Sequence, residues 1–167
     1  RIGGETHVRV VGARGGELSW ISDPLAGEGG VVLDETTVSV WDGRLVACCR
    51  LQGFEGRGSG ARYLAWGDGR RWHGGRLWQG EDPGCNARLV RDLFVHPHSR
   101  LARRDGALVR LAPPWEERMS AEVLASFGEG GFGYSDMVAL GRELLVVFER
   151  DRGLWEATLP ASGVLGE

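Results

Sequence analysis

The sequence predicts an all-β fold of short antiparallel strands. Apolar runs of strand length, rich in Val, Leu, Trp and Phe, recur along the chain, and no segment of helix length carries a sustained 3.6-residue apolar stripe. Glycine supplies 28 of the 167 residues, with no three-residue period, and falls between those runs where tight turns need it.

In order along the chain, HVRVVG (7–12) and GELSWI (16–21) form a candidate hairpin around the turn ARGG. After the loop SDPLAGEGG, TTVSVW (36–41) and LVACCRL (45–51) flank the turn DGR, a strong hairpin signal. ARYLAWG (61–67) and WHGGRLWQG follow, joined at DGRR. ARLVRDLFVH (87–96) reads as one long strand, and a basic loop leads from it into GALVRLA (106–112) and AEVLASFG (121–128). DMVAL (136–140), ELLVVFE (143–149) and GLWEATL (153–159) complete the series. PWEERMSAEVL is the one rival for a short helix, although it starts on Pro-Pro.

Two segments, YLAWGDGRRWHGGRLW and VRLAPPWEERMSAEVL, start with similar strands roughly 47 residues apart, a period that fits four-stranded antiparallel blades of a β-propeller. Three such blades and part of a fourth fit in this length. The expectation is therefore β-propeller-like blades, either as part of a larger propeller or as a small all-β domain of another kind.

The net charge is −3, and all 20 basic residues are arginine. A nucleic-acid partner is not expected from that balance, though a local arginine cluster can still hold a small anion. No run of eighteen apolar residues supports a membrane-spanning segment, and RIGGETHVRV has neither an apolar signal core nor an initiating Met, which suggests an internal segment or processed product; the compartment stays open. Cys48, Cys49 and Cys85 spell neither a disulfide framework nor a zinc site, and Cys48 and Cys49, adjacent in a strand, should not both face the core. His96 and His98 flank Pro97 and are expected in a loop. No metal and no cofactor is implied.

Three places carry chemistry. Glu35 precedes a strand and Arg50 ends the strand that pairs back with it, so hairpin geometry returns both to one end of a blade; alternatively Glu35 is a solvated loop carboxylate and Arg50 a rim charge. Arg100, Arg103 and Arg104 crowd one loop, where acidic neighbours, solvent or an anion must offset their repulsion, and two arginines from separate hairpins can clamp a carboxylate. Tyr134, one of only two tyrosines, sits in GFGYSDM just before a strand. It is either a packed aromatic with a solvated hydroxyl or a residue placed to react.

DETTVSVWDGRLVACCR, ARYLAWGDGRRW, GCNARLVRDLFVHP, RDGALVR, GYSDMVAL and LLVVFERDRGLWEATL occur in the order seen in the C-terminal half of the sialidase (neuraminidase) family, six-bladed propellers that cleave terminal sialic acids from glycans. This chain resembles that half over 31–159, and the resemblance implies that 1–167 is a partial propeller domain. It further implies Tyr134 as nucleophile, Glu35 as the glutamate that activates it, Arg50 and Arg104 as two members of the triad that binds the substrate carboxylate, and Glu149 as the glutamate that steadies the first triad arginine. The implied reaction is retaining hydrolysis of sialoglycoconjugates, and the implied partners are an acidic sugar and either a missing N-terminal propeller half or a second copy of the chain.

Departures from the pattern set further expectations. The family's Asp-box survives only as AWGDGRRW, and more faintly as APPWEERM. No residue matches the first triad arginine or the acid/base aspartate, so the isolated chain is expected to give neither turnover nor a covalent adduct. The competing readings are a non-catalytic carbohydrate-binding or structural β-repeat fragment and an unrelated β-sandwich.

Overall fold

The computed structural model describes residues 7–8, 11–14, 17–20, 25–26, 32–52 and 60–162. All elements among them are strands: β1 (His7–Val8), β2 (Val11–Arg14), β3 (Glu17–Trp20), β4 (Leu25–Ala26), β5 (Val32–Trp41), β6 (Arg44–Gln52), β7 (Ala61–Gly67), β8 (Trp72–Gln79), β9 (Arg88–Val90), β10 (Leu93–Pro97), β11 (Gly106–Leu111), β12 (Ala121–Ser126), β13 (Ser135–Leu140), β14 (Glu143–Arg150) and β15 (Gly153–Pro160).

Three antiparallel sheets dominate, in the orders β5-β6-β7-β8, β9-β10-β11-β12 and β13-β14-β15. Each is a meander, in which consecutive strands pair antiparallel and the stretches of sequence between them are too short for a crossover. The first strands lie side by side, β5 against β9 and β9 against β13, so the sheets fan out from a common line in the manner of propeller blades. Side chains of β5 stitch the first two sheets together: Leu89 N donates to Thr37 Oγ1 at 3.3 Å and Arg91 N to Ser39 Oγ at 2.7 Å.

Apolar faces fill the spaces between sheets. Trp41, Cys48 and Leu64 of the first sheet meet Leu89, Phe94 and Val109 of the second, and Val95 and Leu108 on the second sheet's other face meet Met137, Val146 and Phe148 of the third. The first sheet also buries its far face, with Leu33, Ala47, Cys49 and Ala65 in a third cluster. This corrects the expectation for the adjacent cysteines. Cys48 and Cys49 do point to opposite faces, but both faces are covered and both thiols are fully buried. Burial pushes them up to about 12 and about 11, which keeps them protonated.

Other differences from the sequence reading have local causes. The segment 7–12 is divided: β2 pairs with β3, as expected, but β1 pairs with β4. ARLVRDLFVH is a hairpin rather than one strand, turning at Arg91 and Asp92 with Arg91 in the left-handed region (φ 55). PWEERM forms a turn without helix, and Trp115 folds back against Trp41 (ring centroids 5.4 Å) and beneath the Arg44 guanidinium. His96 lies in β10, fully buried, not in a loop. The AWGDGRRW segment makes a tight turn, because Asp68 Oδ1 accepts from the backbone N of Arg70 at 2.7 Å and of Arg71 at 2.8 Å.

Candidate functional site

Glu35 is set by a break in its own strand. The β5–β6 register runs through Asp34↔Arg50, shifts, and resumes at Thr37↔Cys48. Within that bulge Glu35 has φ 34, a left-handed conformation that costs a residue with a Cβ about 1 kcal/mol or more. The carboxylate of Asp34 offsets part of this by accepting the Glu35 N–H at 2.9 Å. The bulge directs the Glu35 side chain toward Arg50, whose Nη1 donates to Glu35 Oε2 at 2.6 Å, with both side chains about four-fifths buried.

Tyr134 arrives from the third sheet. The β13–β14 ladder continues one pair beyond its named strands, with Gly133 N donating to Glu149 O at 2.8 Å and Glu149 N to Tyr134 O at 2.9 Å. Ser135 Oγ, donating to Val95 O at 3.3 Å, fastens the start of β13 to the second sheet. Tyr134 Oη then donates to Glu35 Oε1 at 2.7 Å. The two oxygens of one carboxylate are thus divided between a phenol and a guanidinium, from sheets separated by the whole of the second sheet.

A second arginine flanks the phenol. Arg103 holds its guanidinium carbon 5.1 Å from the centre of the Tyr134 ring, within cation–π range. The backbone enforces this: Phe132 N donates to Arg103 O at 3.0 Å, Asp105 N to Gly130 O at 2.9 Å, and Gly130 N to Asp105 Oδ1 at 3.1 Å. Arg104, the residue singled out from the sequence, is not brought to the phenol. Its Nε donates to Asp105 Oδ2 at 2.7 Å and its side chain is half exposed. Arg104 makes the antiparallel bridge to Gly131, and consecutive residues in such a pairing project to opposite sides, so only Arg103 faces Tyr134. Spacing measured to Arg110 points to Arg104, whereas the arginine that lies over the Tyr134 ring is Arg103.

Glu149 borders the same space. Its Oε2 accepts the Tyr134 N–H at 3.4 Å, and a Cβ on Gly133 would stand 2.7 Å from that oxygen, so glycine there keeps room for the carboxylate. A cavity opens beside them between Arg103, Gly133, Glu149 and the β14–β15 turn at Arg152. Arg100 pairs with Glu81 at 3.1 Å instead.

Electrostatics follow the geometry. Burial opposes ionisation of Glu35, but hydrogen bonds from Tyr134 and Arg50 and the charges of Arg50 and Arg103 outweigh it, and its pKa lies below the usual 4.5. The hydrogen bond to Glu35, and then its charge, raise the Tyr134 phenol above its usual 10, with Arg103 pulling the other way. At neutral pH the pair is a phenol donating to a carboxylate base.

No protein-family model and no curated protein matches the sequence. Among solved structures, the chain is similar to a mutant of Trypanosoma rangeli sialidase displaying trans-sialidase activity, with a TM-score of 0.57 and 16% identity. That match covers 89% of this chain and 26% of the sialidase, so the chain spans about a quarter of the relative's length. At this identity the likeness shows a shared fold.

Proposed function

We propose that the chain is part of a six-bladed sialidase-type propeller and carries the nucleophile side of a retaining hydrolase for terminal sialic acids. Tyr134 is the nucleophile, Glu35 its base, and Arg50 and Arg103 the cations that receive the sugar's carboxylate, with Arg103 in the place first given to Arg104. Glu149 steadies a further cation at the edge of the site. The observation that carries the reading is the 2.7 Å hydrogen bond from Tyr134 Oη to Glu35 Oε1, with Arg50 on the other oxygen.

The chemistry favours this set for an acidic sugar. A sialoside bears a carboxylate on its anomeric carbon, which repels an approaching carboxylate nucleophile and tolerates a neutral phenol. As Tyr134 Oη bonds to the anomeric carbon, its proton passes to Glu35 along the existing hydrogen bond, so no isolated phenolate has to form at neutral pH. The guanidinium groups fix the substrate carboxylate through paired hydrogen bonds and offset its charge as the ring becomes oxocarbenium-like. Departure of the glycosidic oxygen needs a proton donor, which the proposal assigns to another part of the complete propeller.

The test is covalent trapping with a 2,3-difluoro sialic acid in an assembly that supplies that donor and a third arginine. The expected product is a glycosyl adduct on Tyr134, absent in Tyr134→Phe. An adduct on another residue, formed equally in Tyr134→Phe, contradicts the assignment.

A further inference from the structure

The third sheet ends differently from the other two. The first and second sheets have four strands each, whereas the third stops at β15, and among the described residues no strand pairs with the outer side of β15. The ladder to β14 fixes which backbone groups face outward. Ala161 N donates to Arg142 O at 2.7 Å and continues that ladder, so the odd-numbered residues of β15 bond to β14, and Leu154, Glu156 and Thr158 turn their N–H and C=O groups away from it.

β15 also lacks the features that blunt the other outer edges. β8 and β12 each pair through a register shift, at Trp66/Gly67 and at Leu108/Val109, and β8 carries Gly74, Gly75 and Arg76. β15 keeps an unbroken register with β14 over eight pairs. Its one charge is Glu156, and Leu154 and Trp155 are 75% and 51% exposed. Such an edge is a template for another strand.

We propose that β15 is a dimerisation edge, which pairs antiparallel with β15 of a second copy of this chain about a two-fold axis at Ala157. An axis normal to the sheet keeps each face continuous and sets Glu156 opposite the partner's Thr158, Trp155 opposite the partner's Leu159 and Leu154 opposite the partner's Pro160. Glu156 and Thr158 face outward, so each exchanges both backbone hydrogen bonds with the other copy, and Leu154 N–H donates to the carbonyl of the partner's Pro160, whose nitrogen has no hydrogen to give. Trp155 and Leu159 meet at non-hydrogen-bonded positions, where side chains on opposite strands stand closest. In this register no like charges face each other. Moving the axis to Glu156 sets that carboxylate against its own copy, and moving it to Thr158 shortens the overlap. The strand is therefore complementary to itself, which selects a second copy as the occupant.

The pairing uses none of Tyr134, Glu35, Arg50 and Arg103, so it goes beyond the proposed function and is tested without substrate. Glu156 and Thr158 are exposed and lie on the face of the third sheet away from Met137, Val146 and Phe148, so polar exchanges there leave the core intact. Sedimentation equilibrium of the chain is expected to show a monomer–dimer equilibrium. Thr158→Lys faces the partner's Glu156 at two symmetric places and is expected to tighten the dimer, a gain that unfolding cannot produce. Thr158→Glu is expected to weaken it about tenfold, and Glu156→Lys combined with Thr158→Glu is expected to restore it. A monomer at every concentration, which leaves the edge to a strand from elsewhere, overturns the proposal. So does a dimer with the same dissociation constant in Thr158→Lys and Thr158→Glu, which puts the contact on another surface.

Discussion

Tyr134 and Glu35 stand 99 positions apart in the chain, and the phenol donates to the carboxylate at 2.7 Å. The bond closes a circuit from the first sheet to the third across the mouth of the second. It rests on two local features, the bulge at Glu35 and the ladder that extends through Tyr134 and Glu149.

The phenol should report its neighbours with opposite signs. Glu35→Gln removes the acceptor's negative charge and is expected to lower the ionisation pH of Tyr134, whereas Arg103→Gln removes a nearby cation and is expected to raise it. Ultraviolet difference titration checks both shifts. Unchanged Tyr134 titration in Glu35→Gln contradicts the hydrogen bond.

Neighbouring arginines should behave differently toward an anionic sugar. Arg103→Lys loses the planar fork beside Tyr134 and is expected to weaken binding of a sialic acid analogue by about tenfold, equivalent to roughly 1.4 kcal/mol. Arg104→Lys, which alters a half-exposed pair with Asp105, is expected to leave binding nearly unchanged. Calorimetric titration of the two variants gives the comparison directly, and equal losses contradict the placement of Arg103.

Stability is expected to depend on the buried Arg62–Asp82 pair. Both side chains are fully buried, with Arg62 Nε 2.9 Å from Asp82 Oδ2, and Arg62 also donates to Cys85 O. Arg62→Met leaves the Asp82 carboxylate without its main counter-charge and is expected to cost about 3–5 kcal/mol, while Arg62→Met with Asp82→Leu is expected to recover most of that loss. Urea denaturation of both variants checks the order.

The same pair gives a pH dependence of defined sign. Burial opposes ionisation of Asp82, but the Arg62 charge, the nearby His96 and the Gly84 N–H outweigh it and hold the carboxyl at about 2, below its ordinary 3.8. A carboxyl depressed in the folded state contributes its stabilisation fully above the unfolded value and loses it as pH falls through the folded value. This contribution is therefore expected to be intact above about pH 4 and to decline toward pH 2. Acid unfolding that is indifferent to Asp82→Asn contradicts it.

The strands from β5 onward were legible because alternation and glycine-marked turns are local properties, and the hairpin around Asp42 and Gly43 follows from DGR alone. The split at Arg91 was not legible, since a non-glycine residue in the left-handed region leaves no mark in composition. Burial of both Cys48 and Cys49 was hidden for a different reason: whether a sheet is covered on one face or on both is not a local property of its strands. Of the residues the motifs single out, Glu35, Arg50 and Tyr134 come together, whereas Arg104 bridges Gly131 and it is Arg103 that lies over the Tyr134 ring, a difference of side-chain direction that spacing does not show. The strand position of His96 was not legible because Pro97, read as a loop signal, ends β10 in register with Gly106.

The central claim is that Arg50, Arg103, Glu35 and Tyr134 form one site for a carboxylate-bearing sugar, and the most direct measurement is titration of the unsaturated sialic acid analogue into the 3-fluorotyrosine-labelled chain. The account predicts a saturable shift of the Tyr134 resonance that weakens in Arg50→Lys and Arg103→Lys and is not produced by a neutral sugar of the same size. An equal response to the neutral sugar, or saturable binding that leaves Tyr134 unperturbed, would contradict it.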